Sequence, residues 1–193
     1  MAKKKRTTKK KIKEAQVNSP TTIYYKGSVN IALRRNGRTI KTYDTHNNGK
    51  PQLFNFILNC LAGNYYKHLR PYYVIPFYIV QVENEIQERY TTDVLSPIFN
   101  ASLIDNETLS YKILLPNSLF TQQKQLGGLM FYASVNAPTS VQVDGIVTDE
   151  EKNNSSMIMY LFDSTAEEKN LTIENEDIIV TWQLQIVSAE QGE

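Results

Sequence analysis

The chain has 193 residues, 41% of them hydrophobic, and 21 Lys plus Arg against 20 Asp plus Glu leave a formal charge of +1; this bounds it to one ordinary globular domain with at most a tail. Two His and a single Cys, Cys60, are too few for a cysteine-rich zinc cage or a disulfide framework. No stretch approaches the roughly 20 apolar residues that cross a bilayer, and the N-terminal lysine run lacks the apolar segment of a signal peptide, so the expectation is a chain made and kept in a reducing cytoplasm with no membrane partner.

The near-neutral total conceals a split. Lys3, Lys4, Lys5, Arg6, Lys9, Lys10, Lys11 and Lys13 form a cationic block, and beyond residue 13 there are 13 basic and 20 acidic side chains. Residues 1–19 hold Met1, Ile12, Val17 and a few alanines as their only apolar groups. They cannot bury enough surface to offset about 1 to 2 kcal/mol of backbone entropy per ordered residue. The predicted organisation is therefore a disordered or extended basic arm over 1–19 and a folded domain over 20–193. A block of this kind binds phosphate backbones by counterion release, serves as a nuclear address, docks on an acidic protein surface, or simply keeps a chain soluble. No aromatic residue interrupts the lysines to stack on a base, and the arm itself does not choose among these roles.

Two β-rich runs follow, Ile23 to Leu33 and Thr39 to Thr45, and Asn36-Gly37 between them is a strong hairpin signal because both residues tolerate positive φ. Val29, Ile31 and Leu33 alternate with Asn30, Ala32 and Arg34, giving one apolar face. A polar loop leads to Pro51, and the apolar run from Leu53 to Leu61 closed by Gly63 predicts a helix over about 51–62. Its apolar residues cover more than a stripe, which predicts that most of its circumference is buried, either as a core helix or against another copy of the chain.

Tyr65, Tyr66, Tyr72, Tyr73, Phe77, Tyr78 and Tyr90 crowd the next segment. Tyrosine joins an apolar body to a hydrogen-bonding tip, which suits a buried strand and a subunit interface alike. Val74 to Val82 reads as a buried strand, and Tyr65, Tyr66, Tyr72 and Tyr73 are the candidate interface residues. Further strands are predicted over Leu109 to Leu115, Gly128 to Asn136, Val141 to Val147, Ser156 to Phe162 and Ile178 to Val187. Gly127-Gly128, Ala137-Pro138, Asp144-Gly145 and the polar stretch Thr148 to Asn154 read as the turns between them. In the last strand Ile178, Val180, Trp182, Leu184 and Ile186 share one face. Seven or eight strands with one helix predict a mainly β fold, an antiparallel sandwich or jelly-roll-like domain.

The search for chemistry returns little. His46 and His68 are the only imidazoles, Asp44 precedes His46 by two residues, and no G-x-S-x-G elbow surrounds any serine. Phosphate-binding glycine fingerprints are missing too. Asp149-Glu150-Glu151 and Glu174, Glu176, Asp177 lack the ligand order of a calcium loop and read as solvated. Asn100, Asn106, Asn153, Asn154 and Asn170 each open an N-x-[ST] triplet, which carries no glycan meaning without a secretory route. The expectation is a non-enzymatic protein without catalytic, cofactor or metal residues.

The segments Tyr24-Tyr25-Lys26-Gly27-Ser28-Val29, Thr45-His46-Asn47-Asn48-Gly49, Leu53-Phe54-Asn55-Phe56, Cys60-Leu61-Ala62-Gly63-Asn64-Tyr65 and Asp177-Ile178-Ile179-Val180-Thr181-Trp182-Gln183-Leu184 resemble small structural proteins of tailed bacteriophages of gut Bacteroidales, the crAss-like group. The resemblance covers about a third of the chain and leaves the lysine-rich arm outside it. It implies a virion component made in the host bacterial cytoplasm and present in many copies, in the neck, a tail-barrel ring or capsid decoration. The implied partners are other virion proteins and further copies of the chain in a ring or trimer. A nucleic-acid-binding protein that contacts DNA through residues 1–19 is the alternative.

Overall fold

Asn36 and Gly37, at φ of 52° and 76°, close the two-residue turn between β1 (Ile23–Arg35) and β2 (Arg38–His46), as a type I′ hairpin requires. The computed structural model describes residues 23–46, 48–49, 51–64, 69–98, 100–162 and 166–188, so the arm over 1–19 lies outside the described residues. After β2 come β3 (Asn48–Gly49), α1 (Pro51–Leu61), β4 (Pro71–Val82), β5 (Glu85–Tyr90), β6 (Ser96–Pro97), β7 (Asn100–Leu103) and β8 (Thr108–Leu115). The chain continues through β9 (Gln125–Leu126), β10 (Gly128–Ala133), α2 (Asp149–Asn154), β11 (Met157–Tyr160), β12 (Leu171–Thr172) and β13 (Asp177–Ser188).

The strands form two antiparallel sheets. The first runs β2-β1-β13-β8-β7, the second β3-β11-β10-β4-β5 with β6 beside β4, and β12 with β9 makes a small separate pair. The first and last long strands are neighbours, in register from Ile23 opposite Ser188 to Arg34 opposite Asp177. The alternations visible in the sequence point inward as expected: Val29, Ile31 and Leu33 on β1, and Ile178, Val180, Trp182 and Leu184 on β13, are all buried. They meet Val74, Leu129, Phe131, Met157 and Met159 from the second sheet in one core. Trp182 sits at its centre, stacked on Tyr111 with ring centroids 4.7 Å apart and tilted against Phe131 at 5.3 Å. The domain is thus a mainly β sandwich of antiparallel sheets.

Four expectations need correction. The helix forms where its signals place it, with Gly63 at φ of 78° just past its end, but it is not buried around most of its circumference. Leu53 is buried and Ile57 packs on the core, whereas Leu58 and Leu61 are 64% and 76% exposed; a helix laid along the flank of a sandwich has one face inward. Thr148 to Asn154 is not a turn-like connection but carries α2, whose capping box joins the Thr148 hydroxyl to the Glu151 N–H and the Glu151 carboxylate back to the Thr148 N–H. The Thr-x-x-Glu spacing is the signal for it. Val141 to Val147 is irregular, with only Ile146 bridged to Arg89, because Asp144 at φ of 64° turns the chain. Gly127-Gly128 is no turn: Gly128 opens β10, where an added Cβ would lie 2.3 Å from both the Met159 carbonyl oxygen and the Phe77 ring.

The irregular segment has a packing role. Val141 and Val147 cover Ile75, Phe77, Tyr90, Met130, Tyr132 and Ile158 on the outer face of the second sheet. That sheet is therefore enclosed on both sides.

Candidate interaction surfaces

Among the described residues, none gives the outer face of the first sheet a comparable cover. The pleat that sends Val29, Ile31 and Trp182 inward sends Asn30, Thr181 and Lys112 outward, and register places Asp44, Asn30, Thr181, Lys112 and Asn100 in one row across the five strands. The Asn30 carboxamide donates to Asp44 at 2.9 Å. A shallow groove of about 220 Å³ runs beside this row, among Ser28, Asn30, Asp44, Thr181 and Gln183. Hydroxyls, amides and a balanced pair of charges make it a hydrogen-bonding surface. Among the described residues, β2 pairs in the ladder only with β1 and β7 only with β8. Both edges therefore present backbone groups that a further strand can use.

The opposite side of the molecule is acidic. Glu83, Glu85, Glu88, Asp144, Asp149, Glu150 and Glu151 stand against Arg89 and Lys152 in residues 83–90 and 141–155, while the other described residues hold nine acidic and nine basic side chains. The two segments are joined by hydrogen bonds from Val147 N–H to the Glu88 carbonyl and from Asp144 N–H to the Tyr90 carbonyl. Lys152 donates to Glu88 at 3.0 Å and lies 3.2 Å from Asp149, and the Tyr160 hydroxyl donates to Glu88 at 3.1 Å. Partial burial lowers the Lys152 pKa, but the bonds to Glu88 and Asp149 outweigh it and the net shift is upward. Burial raises the hydroxyl pKa of Tyr160 to about 12, with the Glu88 charge adding to it. These groups stay fixed in charge through the neutral range and act as structure.

One ion pair is half-buried: Arg35 keeps 43% of its side chain exposed, while its partner Glu176, read from the sequence as solvated, is buried. Glu176 is 3% exposed; its carboxylate accepts the backbone N–H groups of Glu174 and Asn175 at 2.8 and 3.0 Å and is bonded by Arg35. Burial alone pushes the Glu176 carboxyl up, but the backbone donors and the guanidinium reverse it, so its pKa is lowered. The pair ties the β1–β2 hairpin to the strand that closes the chain. Among the described residues no group of three or more His, Cys, Asp or Glu side chains is arranged to hold a metal, and no helix is long and apolar enough to cross a membrane.

Of the interface candidates, Tyr72 and Tyr73 begin β4, half-buried, with rings in edge contact at 4.8 Å; the Arg70 guanidinium lies over Tyr72 at 5.4 Å. Tyr65, Tyr66 and His68 fall outside the described residues, as do Lys3, Lys4, Lys5, Arg6, Lys9, Lys10, Lys11 and Lys13. His46 ends β2 opposite Ser28. Asn170 uses its carboxamide structurally, accepting from the Ile79 N–H and donating to the Ile79 carbonyl, both at 2.7 Å.

Sequence reading missed two exposed apolar features. Leu58 and Leu61 on α1 are one, and Leu103 and Ile104 at the tip of the β7–β8 hairpin, 74% and 56% exposed, are the other. The available signal for the second is an apolar pair directly before Asp105-Asn106, a turn dipeptide. Comparison of the chain with protein-family models, with curated proteins and with solved structures finds no match in any of the three.

Proposed function

We propose that this chain is a non-enzymatic structural component of a tailed-phage virion, in the neck, a tail-barrel ring or capsid decoration. It assembles in many copies through its β domain, while the basic arm docks on a neighbouring subunit or on DNA. The observation that carries the reading is the opposition between eight cationic side chains in the first 13 residues and a folded domain whose net negative charge lies on one side. Repetition by symmetry multiplies such modest contacts. The sheet edges at β2 and β7, the polar outer face of the first sheet and the resemblance of residues 24–65 and 177–187 to crAss-like virion proteins support the same reading.

Sedimentation of the full chain and of a form lacking residues 1–19 tests it. The expected result is a concentration-dependent oligomer whose stability falls on deleting the arm. Monomers in both forms that bind no virion protein overturn the proposal. The arm's dense block of cations, eight within the first 13 residues, also favours a second reading, a nucleic-acid-binding protein. In that case affinity for duplex DNA falls steeply with salt and disappears with residues 3–13, while the oligomeric state is unchanged.

A further inference from the structure

On the inner face of the first sheet, one row of leucines runs out of cover as it nears the edge. Register aligns Leu184 of β13, Leu109 of β8 and Leu103 of β7, on the face that also carries Trp182 and Tyr111. Leu184 is buried and Leu109 packs on the core, but Leu103 is 74% exposed. Ala101, opposite the buried Tyr111, is exposed as well. The apolar face of the first sheet thus continues beyond the core at β7. The backbone at this edge has a defined polarity. Ile104 N–H donates to the Thr108 carbonyl at 2.9 Å, and bonded and non-bonded pairs alternate along an antiparallel ladder. Asn100 and Ser102 therefore turn their N–H and C=O groups toward β8, while Ala101 and Leu103 turn theirs outward.

Among the described residues, the other outer strands of the two large sheets carry features that discourage pairing. β3 has two residues, β5 holds Glu85, Glu88 and Arg89, and β2 holds Arg38 and Lys41 beside a register shift at Leu33 and Arg34. β7 is Asn-Ala-Ser-Leu, with no charge, no proline and no shift in its register with β8. We propose that β7 pairs antiparallel with β7 of a second copy across a two-fold axis at Ser102, joining their first sheets into one. In this register Ala101 of each copy lies opposite Leu103 of the other. Both residues turn their backbone groups outward, so each such pair exchanges its two hydrogen bonds. On the inner face the two overhanging apolar surfaces meet and cover each other.

Charge selects this partner and this direction. The charged side chains of residues 100–112 are Asp105 and Glu107 at the hairpin tip and Lys112 at its base, opposite Asn100, and all three are exposed. The Asp105 carboxylate is fixed in place, accepting from the N–H groups of Glu107 and Thr108 at 2.8 and 2.7 Å. Antiparallel pairing brings the tip of one copy to the base of the other. Ile104 then falls opposite Asn100, two strand spacings or about 10 Å from Lys112, and Asp105 beside it comes within reach of the lysine side chain. Symmetry repeats the contact. A parallel arrangement would instead set tip against tip, acid against acid. This inference rests on the proposed assembly in many copies and names one of its contacts.

The test is a disulfide across the two-fold axis, in the full chain. A non-hydrogen-bonded antiparallel pair sets its Cα atoms about 4.5 Å apart, within the span of a disulfide, so Ser102→Cys in a Cys60→Ser background is oxidised gently. The expected product is a covalent dimer, forming at least about tenfold faster than with Thr42→Cys at the middle of β2. Equal rates for the two overturn the proposal. Sedimentation of two further variants gives an independent readout. Ala101→Pro removes an outward N–H and spares the ladder to β8, and Leu103→Lys places a charge on the overhang. With thermal unfolding showing that both fold, each should weaken self-association by about tenfold or more. Association unchanged in both overturns this contact alone and leaves assembly through another surface standing. A full chain that never self-associates overturns it together with the assembly in many copies.

Discussion

The two sheets of this protein are built from similar strands and treated differently by the rest of the chain. The second is enclosed on both faces, by the core on one side and by Val141 and Val147 on the other. Among the described residues the first buries only one, and its outer face presents Asn30, Thr181, Gln183 and Lys112. A sheet face packed under another layer contributes its burial to stability, whereas a solvent-facing one contributes little. The difference predicts that substitutions on the outer faces of the two sheets fall into separate classes.

The largest effect is expected at the shared core. Trp182→Ala removes a fully buried ring stacked on Tyr111 and should cost about 4 kcal/mol in urea unfolding; a loss under about 1 kcal/mol would contradict the two-sheet core. Gly128→Ala comes next, because the new methyl collides with the Met159 carbonyl oxygen and the Phe77 ring. A destabilisation of about 3 kcal/mol is expected, partly relieved by Phe77→Leu.

Glu176 comes third and brings a pH signature. Its folded pKa lies below the unfolded value, so the unfolded state binds more protons through the acidic range. The stability it contributes is complete above the ordinary glutamate pKa and is lost as pH falls through the lowered one. Glu176→Gln should therefore cost about 2 kcal/mol at pH 7 and flatten stability between about pH 5 and 3; an unchanged acid limb would show that the carboxylate is not the group titrating. The smallest effect belongs to the uncovered face, where Leu114 is 47% exposed. Leu114→Lys should change the stability of the isolated domain by less than about 0.5 kcal/mol. A larger loss would show that this face is covered in solution.

Much of the sandwich was legible residue by residue. Alternation at Val29, Ile31 and Leu33 and at Ile178, Val180, Trp182 and Leu184 named the buried face of two central strands, because a strand reports its own pleat. Asn36-Gly37 named the hairpin for an equally local reason. β5 and β7 went unread: Asn100 to Leu103 is an edge strand exposed throughout, and Glu85 to Tyr90 passes from exposed to buried along its length, so neither alternates. Gly128 misled because glycine marks both a turn and a close approach, and only the position of Phe77 tells which. The candidate surfaces were the least legible, since an exposed apolar pair such as Leu103 and Ile104 looks in sequence like any buried one.

Local chemistry alone was enough to specify a β protein with a cationic leader, since strand period, turn residues and charge blocks act over a few positions. Which strands became neighbours, which sheet face stayed open and why the acidic residues gather on one side depended on contacts between residues from about fifty to more than a hundred positions apart. Long-range packing chooses among many pairings that local preference leaves nearly equal in free energy, so those features exist only in the folded chain.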